Sequence, residues 1–421
     1  MRIDSTVQRV AETVVAVLRE PVSDQLPGKL ATLRLEEWES SYHWLDANGL
    51  ALYFRDALQR NHLESCIPCG VLARLDRCYT DNQSRLEHHL VEFQAINHAF
   101  QAAGIHYANL KGFTLEPDYC RDLSLRYQCD LDFTVRRNDA MSCRVVLQKL
   151  GYRLTSETSD TLEFKPAEDR LPDIADLYKP RNQQAVEVHF GSPTGKLDLD
   201  EGCLDHVAWI SRFSLSFPVV GELDMFFSLI FHLYRHLLSE WVRLSWFLEL
   251  DWFLQRRARD VAFWRTVLER ADADNDTAQA LALVMAFCKQ AFSRSLPDSL
   301  AAICSTQLRE PVQLWVAHYG SEILFSDFPG NKLYLLLLRE LSRSHNDWQD
   351  TSRKKLFPFH APATVLHSNN WAERTSHIPG NAKYGLLRVS FHLREGFRYL
   401  LEQWRWRRRS AQSALLKPGS E

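Results

Sequence analysis

Between residues 104 and 191 the apolar side chains of this chain recur in short runs at every second position. Before and after that stretch they recur at every third or fourth. A period of two belongs to a pleated strand and a period near 3.6 to a helix, so the pattern sets a few strands inside a helical chain. The expected class is α+β: a small mixed-sheet core embedded in a mainly α-helical chain.

The helical stretches come first. Val7, Val10, Ala11, Val14, Val15 and Leu18 share one helix face, and residues 36–63 and 70–103 carry the same periodicity. Leu26-Pro27-Gly28 and Cys66-Ile67-Pro68-Cys69-Gly70 interrupt them. Strands are expected at Ile105–Leu110, at Asp130–Val135, at Tyr152–Leu154 paired with Thr161–Phe164, and at Ala185–Phe190. A helix over Ala140–Leu150 ends at Gly151. From Leu204 onward the pattern reads as helix again, strongest over Leu223–Leu254 with Trp241, Trp246 and Trp252. His345–Asn381, with Pro358, Pro362 and Pro379, reads as a polar loop, and Phe391–Trp406 as a last amphipathic helix before a basic tail. Four regions follow: helices over 1–103, the α/β core over 104–191, a helical domain closing the cleft over 192–345, and the loop, helix and tail over 346–421.

At 421 residues the chain is long enough for two or three domains. Its 45% hydrophobic and 24% charged residues exclude disorder over most of its length. Fifty basic against 53 acidic residues give a net charge of −3, which argues against nucleic acid as a partner held by bulk charge. Nine scattered cysteines suit a reducing compartment. The first twenty residues carry acids and no apolar run of signal-peptide length. The most apolar window, Met225–Leu238, contains His232, Tyr234, Arg235 and His236, and falls short of the roughly 20 apolar residues of a membrane span. A cytoplasmic protein without a transmembrane segment is expected.

The chemistry concentrates in the strands. In Asp130-Leu131-Asp132-Phe133-Thr134-Val135 the residues Leu131, Phe133 and Val135 turn to the core, leaving Asp130 and Asp132 side by side on the other face. Two such carboxylates repel each other unless a cation lies between them, and a hard divalent ion suits them. In Ala185–Phe190 the same alternation turns Glu187 and His189 outward together. Were the two strands adjacent, Glu187 would add a third carboxylate, enough for two metals of the kind used at phosphorus. Upstream, Lys111-Gly112 follows a strand and could open a helix, where a backbone and a positive charge can meet a phosphate. Arg126 supplies a second positive charge near Asp130. Singly these are a solvated strand face, a turn and a surface acid. Their order along the chain is what chance rarely produces.

Asn109-Leu110-Lys111-Gly112, Ser124-Leu125-Arg126, Asp130–Val135, Gly151-Tyr152 and Val186-Glu187-Val188-His189 together resemble the bacterial uncharacterised nucleotidyltransferase family of the DNA polymerase β-like nucleotidyltransferase superfold. His232–His236, Arg243-Leu244, Trp246 and Asp251 are similar to its helical continuation, so the resemblance spans roughly 85–260. It implies a mixed-sheet core binding Mg²⁺, in a two-metal site, and an NTP. Asp130, Asp132 and Glu187 would be catalytic and ligate the metal. Lys111, Gly112 and Arg126 would bind the nucleotide. A nucleoside monophosphate would pass to a hydroxyl-bearing acceptor (small molecule, sugar or peptide), with release of pyrophosphate. An inactive scaffold of the same fold and a kinase-like phosphoryl transfer are the alternatives. One departure stands out: the wider superfamily has Gly-Ser at the phosphate turn, and here Phe113 follows Gly112, so that hydroxyl is missing.

Three other features compete. His232 and His236, four apart on one helix face, have a zinc-ligand spacing, but no third ligand is near; lining the active cleft together with His189, or plain core packing, is the stronger reading. Cys66 and Cys69 have redox spacing but lie between helices, where a turn with buried thiols is the default; Cys78 with His88 or His89 could add metal ligands to it. Trp404-Arg405-Trp406-Arg407-Arg408-Arg409 interleaves aromatics with arginines, as a contact with an anionic surface would, or as a solvated helix end would.

Overall fold

The computed structural model describes residues 4–19, 21–166, 176–180, 184–191, 197–292, 296–342, 348, 352, 354–356 and 378–415. The chain forms two compact units, one of residues 3–234 and 243–307, the other built on 235–242 and 308–421. The first is α+β, and the mixed sheet it carries has seven strands.

Helices α1 (Ser5–Leu18), α2 (Leu26–Ala31), α3 (Leu35–Ala47), α4 (Ala51–Arg60) and α5 (Cys69–Ala102) open the first unit. Asp4 caps α1 by accepting from the Thr6 N–H, and Val10, Val14 and Val17 bury its apolar face. The single helical stretch expected over 36–63 is two helices. Gly49, at φ +68°, turns the chain between them, and a Cβ there would lie 2.7 Å from Ser245 Oγ.

The sheet runs β3 (Tyr152–Glu157), β4 (Thr161–Pro166), β5 (Ala185–His189), β2 (Asp130–Val135), β1 (Tyr107–Leu110), β7 (Leu215–Val219), β6 (Ala208–Arg212). Strands β2 and β5 are parallel, with Asp132 opposite Glu187; β1 runs antiparallel to β2. The last two strands correct the expectation of helix from Leu204 onward. Ile210, Leu215 and Phe217 keep period two there, but the hairpin turns at Phe213 and Ser214, both at positive φ, with neither glycine nor asparagine to announce it. One sheet face packs against α5 and α6 (Ala140–Lys149): Phe93, Phe100 and Leu147 meet Leu131, Phe133, Phe164, Val186 and Val188. At about 25 cal/mol per Å² of apolar surface, these fully buried aromatic and aliphatic groups dominate the stability of the unit.

Helix α5 also sets the strand register. The buried Arg85 guanidinium donates to the Leu177 carbonyl, to Gln128 O at 2.8 Å and to Gln184 Oε1 at 2.9 Å. Gln128 and Gln184 stand just before β2 and β5, so one side chain aligns both strand starts. Seven residues along, Glu92 accepts from the Gln184 N–H at 2.9 Å and from the Tyr152 hydroxyl. Burial pushes the Glu92 carboxyl up to about 7, from an ordinary 4.5. A raised carboxyl binds its proton more tightly folded than unfolded, so stability falls as pH rises from about 4.5 to about 7. This group is worth roughly 3 kcal/mol across that window. Glu92→Gln, which mimics the protonated form, is expected to flatten the profile and to be more stable than wild type at pH 8. Urea unfolding at several pH values checks this, and an unchanged slope contradicts it.

Helices α7 (Glu222–Leu237), α8 (Leu244–Arg256), α9 (Val261–Asp272), α10 (Asn275–Phe292) and α11 (Asp298–Gln307) follow the sheet. The second unit holds α12 (Glu310–Leu324), α13 (Tyr334–Leu341) and α14 (Ile378–Leu415). Trp315, Leu335, Leu337 and Trp406 are buried in it. Most of the polar segment expected over 345–381 lies outside the described residues, but those described there, 348, 352, 354–356 and 378–381, are helical and not loop, the last four opening α14. Among those described, no helix is long and apolar enough to cross a membrane.

Candidate active site

The face of β2 and β5 opposite α5 carries the acids. Leu131, Phe133, Val186 and Val188 fill the core side, so the strand period puts Asp130, Asp132, Glu187 and His189 on the other. His189 Nε2 lies 3.2 Å from Asp132 Oδ1 and 3.5 Å from Glu187 Oε2. One donor atom each of Asp132, Glu187 and His189 falls within 4.8 Å of the others. Asp130 shares the face without joining that trio. His189 thus stands closer to the acids than a cleft-lining residue, the role expected of it. As residue i+2 to Glu187, it was placed there by the strand period itself.

Strand β1 delivers Lys111. Its Nζ donates to Asp132 Oδ1 at 3.0 Å, and both side chains are buried. The backbone of Lys111 has φ +49° and ψ −150°, a combination that residues with a Cβ rarely adopt. Gly112 follows at φ +49°, and a Cβ on it would lie 2.5 Å from Gln128 Nε2. That amide donates in turn to the Asp130 carbonyl at 2.9 Å. The left-handed backbone is what favours glycine here, and a side chain would also have to displace the Gln128 amide. Gly112 opens one short 3₁₀ turn, Gly112–Thr114, where a longer helix was the alternative to a loop. Phe113 points away from the acids into the core, 4.6 Å from the Phe93 ring and 5.8 Å from Phe213.

The charges push one another apart in protonation. Burial, then Asp132 and Glu187, push the Asp130 carboxyl up to about 7, against the pull of Lys111 and Arg126. Burial and Asp132 also raise Glu187. At Asp132 burial acts upward too, but Lys111 and His189 overcome it and hold that carboxyl well below the usual range. Burial lowers Lys111, and the three carboxylates more than reverse this, keeping it charged.

Arg126 is buried beside this cluster. Its Nε donates to Glu249 Oε1 at 3.1 Å, and that oxygen also accepts from the Tyr53 hydroxyl at 2.9 Å. Glu249, on α8, and Tyr53, on α4, form no part of any sequence pattern. The only signal for Glu249 is an acid, with Asp251, in the otherwise largely apolar run Leu244–Leu254. Of the two helical histidines, His232 packs edge-on against Trp246, with ring centroids 4.5 Å apart, and His236 Nδ1 lies 3.4 Å from the Trp241 carbonyl. Cys66 and Cys69 are free thiols, but the first is half-buried and the second exposed at the start of α5, where buried thiols were expected; among the described residues the trio on β2 and β5 is the one metal-competent group of three or more.

The sequence matches the family model described as "Uncharacterised nucleotidyltransferase" over residues 35–293, more than half of the chain. The chain belongs to this family. The match includes all seven strands and reaches back into α3, well beyond the span that the motifs alone suggested. Neither a curated protein nor a solved structure matches the chain.

Proposed function

We propose that this family member is an active Mg²⁺-dependent nucleotidyltransferase, moving a nucleoside monophosphate from an NTP to a hydroxyl-bearing acceptor. The observation that carries the reading is the pairing of Asp132 with Glu187 across two parallel strands, with the Lys111 ammonium 3.0 Å from Asp132. Such a cluster is self-repelling without a cation, and its oxygen-rich donors suit a hard divalent ion. Asp132 and Glu187 would hold the ion, with Asp130 adding a second carboxylate of the same strand and His189 a nitrogen donor or a brace on both acids. When bound, the ion neutralises and polarises the transferred phosphoryl group.

The side chains of this chain supply the rest. Lys111 and Gly112 would receive the triphosphate at the end of β1, and Arg126 would add positive charge next to Asp130. The acceptor oxygen bonds to the α-phosphorus, the bond to the bridging oxygen of the β-phosphate breaks, and pyrophosphate leaves. The hydroxyl proton goes to a carboxylate of this cluster. Glu187 helps to activate the same hydroxyl. Positioning and charge neutralisation carry most of the acceleration in such a site.

Incubation with each α-labelled NTP and a cell extract tests this. Label on an acceptor, dependent on Mg²⁺ and accompanied by pyrophosphate, is the expected result. Transfer of γ-label would reassign the site to phosphoryl transfer. Binding without any transfer would make the chain a scaffold.

A further inference from the structure

Helix α14 packs one side and, among the described residues, leaves the other exposed. Inside the second unit, Phe391, Tyr399 and Trp406 are buried, the Trp406 Nε1 donates to Glu340 Oε1 at 3.0 Å, and Tyr319 donates to Glu402 Oε2 at 2.9 Å. The opposite side presents Leu386, Val389, Leu393, Phe397, Leu400 and Trp404, spaced by three or four residues along about 27 Å of helix. Leu386 is 72% exposed and Phe397 66%. An unbroken apolar stripe of this length on an outer surface marks a contact site.

The charges of α14 say what covers it. Its acids turn inward: Glu395 is 1% exposed and pairs with Arg394 and Arg398, and Glu402 is held by Tyr319 and Arg405. Arg398 turns in with them, to Glu322, but most arginines of the helix are exposed. Arg394, Arg405, Arg407, Arg408 and Arg409 are exposed, and the Arg408 guanidinium lies 3.6 Å over the Trp404 ring. Among the described residues of α14, the exposed charges beside the Leu/Val/Phe/Trp stripe are therefore arginines, while its two acids lie on the packed side. A second copy meeting it about a two-fold axis would bring arginines against arginines. A bilayer with anionic headgroups satisfies both features, burying the stripe at the acyl boundary while the arginines meet phosphates.

We propose that α14 docks this protein flat onto an anionic lipid surface, through the Leu386–Trp404 stripe and its flanking arginines, without spanning the membrane. This stands on its own, whatever reaction the sheet carries out.

The full chain is sedimented with vesicles of phosphatidylcholine alone and of phosphatidylcholine mixed with phosphatidylglycerol, at low and high salt. Binding to the anionic vesicles is expected, and at least about tenfold less on neutral ones or at high salt. Two triple variants change exposed positions only. Leu393→Gln with Phe397→Gln and Trp404→Gln should abolish binding. Arg394→Ala with Arg405→Ala and Arg408→Ala should weaken it by about fivefold per charge removed. Circular dichroism checks that each variant keeps its helix content. Wild type that stays off anionic vesicles overturns the proposal, as does equal binding by the apolar variant. So does a sedimentation-velocity dimer lost in that variant without any vesicle binding, which would assign the stripe to a second copy.

Discussion

Replacing Asp130 and Asp132 together by asparagine is expected to cut Mg²⁺-dependent nucleotide turnover by about 10³-fold or more, with the helical content intact. The single variants separate the roles of the two acids. Burial and two neighbouring acids disfavour the charge on Asp130, so Asp130→Asn removes an unfavourable group at pH 8 and should hold or raise the unfolding temperature. Asp132 is the partner of buried Lys111 and braces His189, so Asp132→Asn should lower it. Both should be inactive. Such a split, with activity lost in each and stability moving in opposite directions, distinguishes a site that stores like-charge repulsion from a surface patch of acids, where both substitutions would be neutral. Full turnover in the double variant would remove the acids from the reaction. Calorimetry and the label-transfer assay together decide between these outcomes.

The acids were legible because strand geometry is local. A period of two in Asp130–Val135 and Ala185–His189 is enough to set apolar residues to one face and acids to the other, and it needs no knowledge of the partner strand. Parallel pairing of β2 with β5 then turns two local facts into one cluster. What the sequence concealed is of two kinds. The β6–β7 hairpin turns at Phe213 and Ser214, whose backbone carries positive φ without the residue types that normally do so, and its apolar positions blend into the helical density around it. The break at Gly49, by contrast, is written in the sequence as the Asn48-Gly49 pair, a turn signal outweighed by the helical periodicity on either side of it. The second kind is long-range. Arg85 reaches carbonyls 43 and 92 residues away, and Arg126 finds its acid 123 residues away. Phe113, which leaves the turn after Gly112 without a hydroxyl, is explained only by the Phe93 and Phe213 rings that receive it.

The Arg126–Glu249 pair gives the largest expected loss of stability from a single change. Both side chains are almost fully buried, and Glu249 is held further by the Tyr53 hydroxyl. Glu249→Leu leaves a buried guanidinium without its acid and should cost about 3–5 kcal/mol in urea unfolding. Removing both charges, with Arg126→Met added, should recover most of that loss, because an apolar pair of similar volume pays no desolvation. If Glu249→Leu costs under about 1 kcal/mol, the pair is as weakly coupled as a surface bridge and the buried network is wrong. The same double variant then isolates the nucleotide role of Arg126 from its packing role. With stability restored but the guanidinium gone from beside Asp130, KM for the NTP should rise well above wild type. An unchanged KM in a folded double variant would leave Arg126 purely structural, tying α8 and α4 to the strand that carries the acids, and would leave Lys111 and Gly112 to hold the triphosphate.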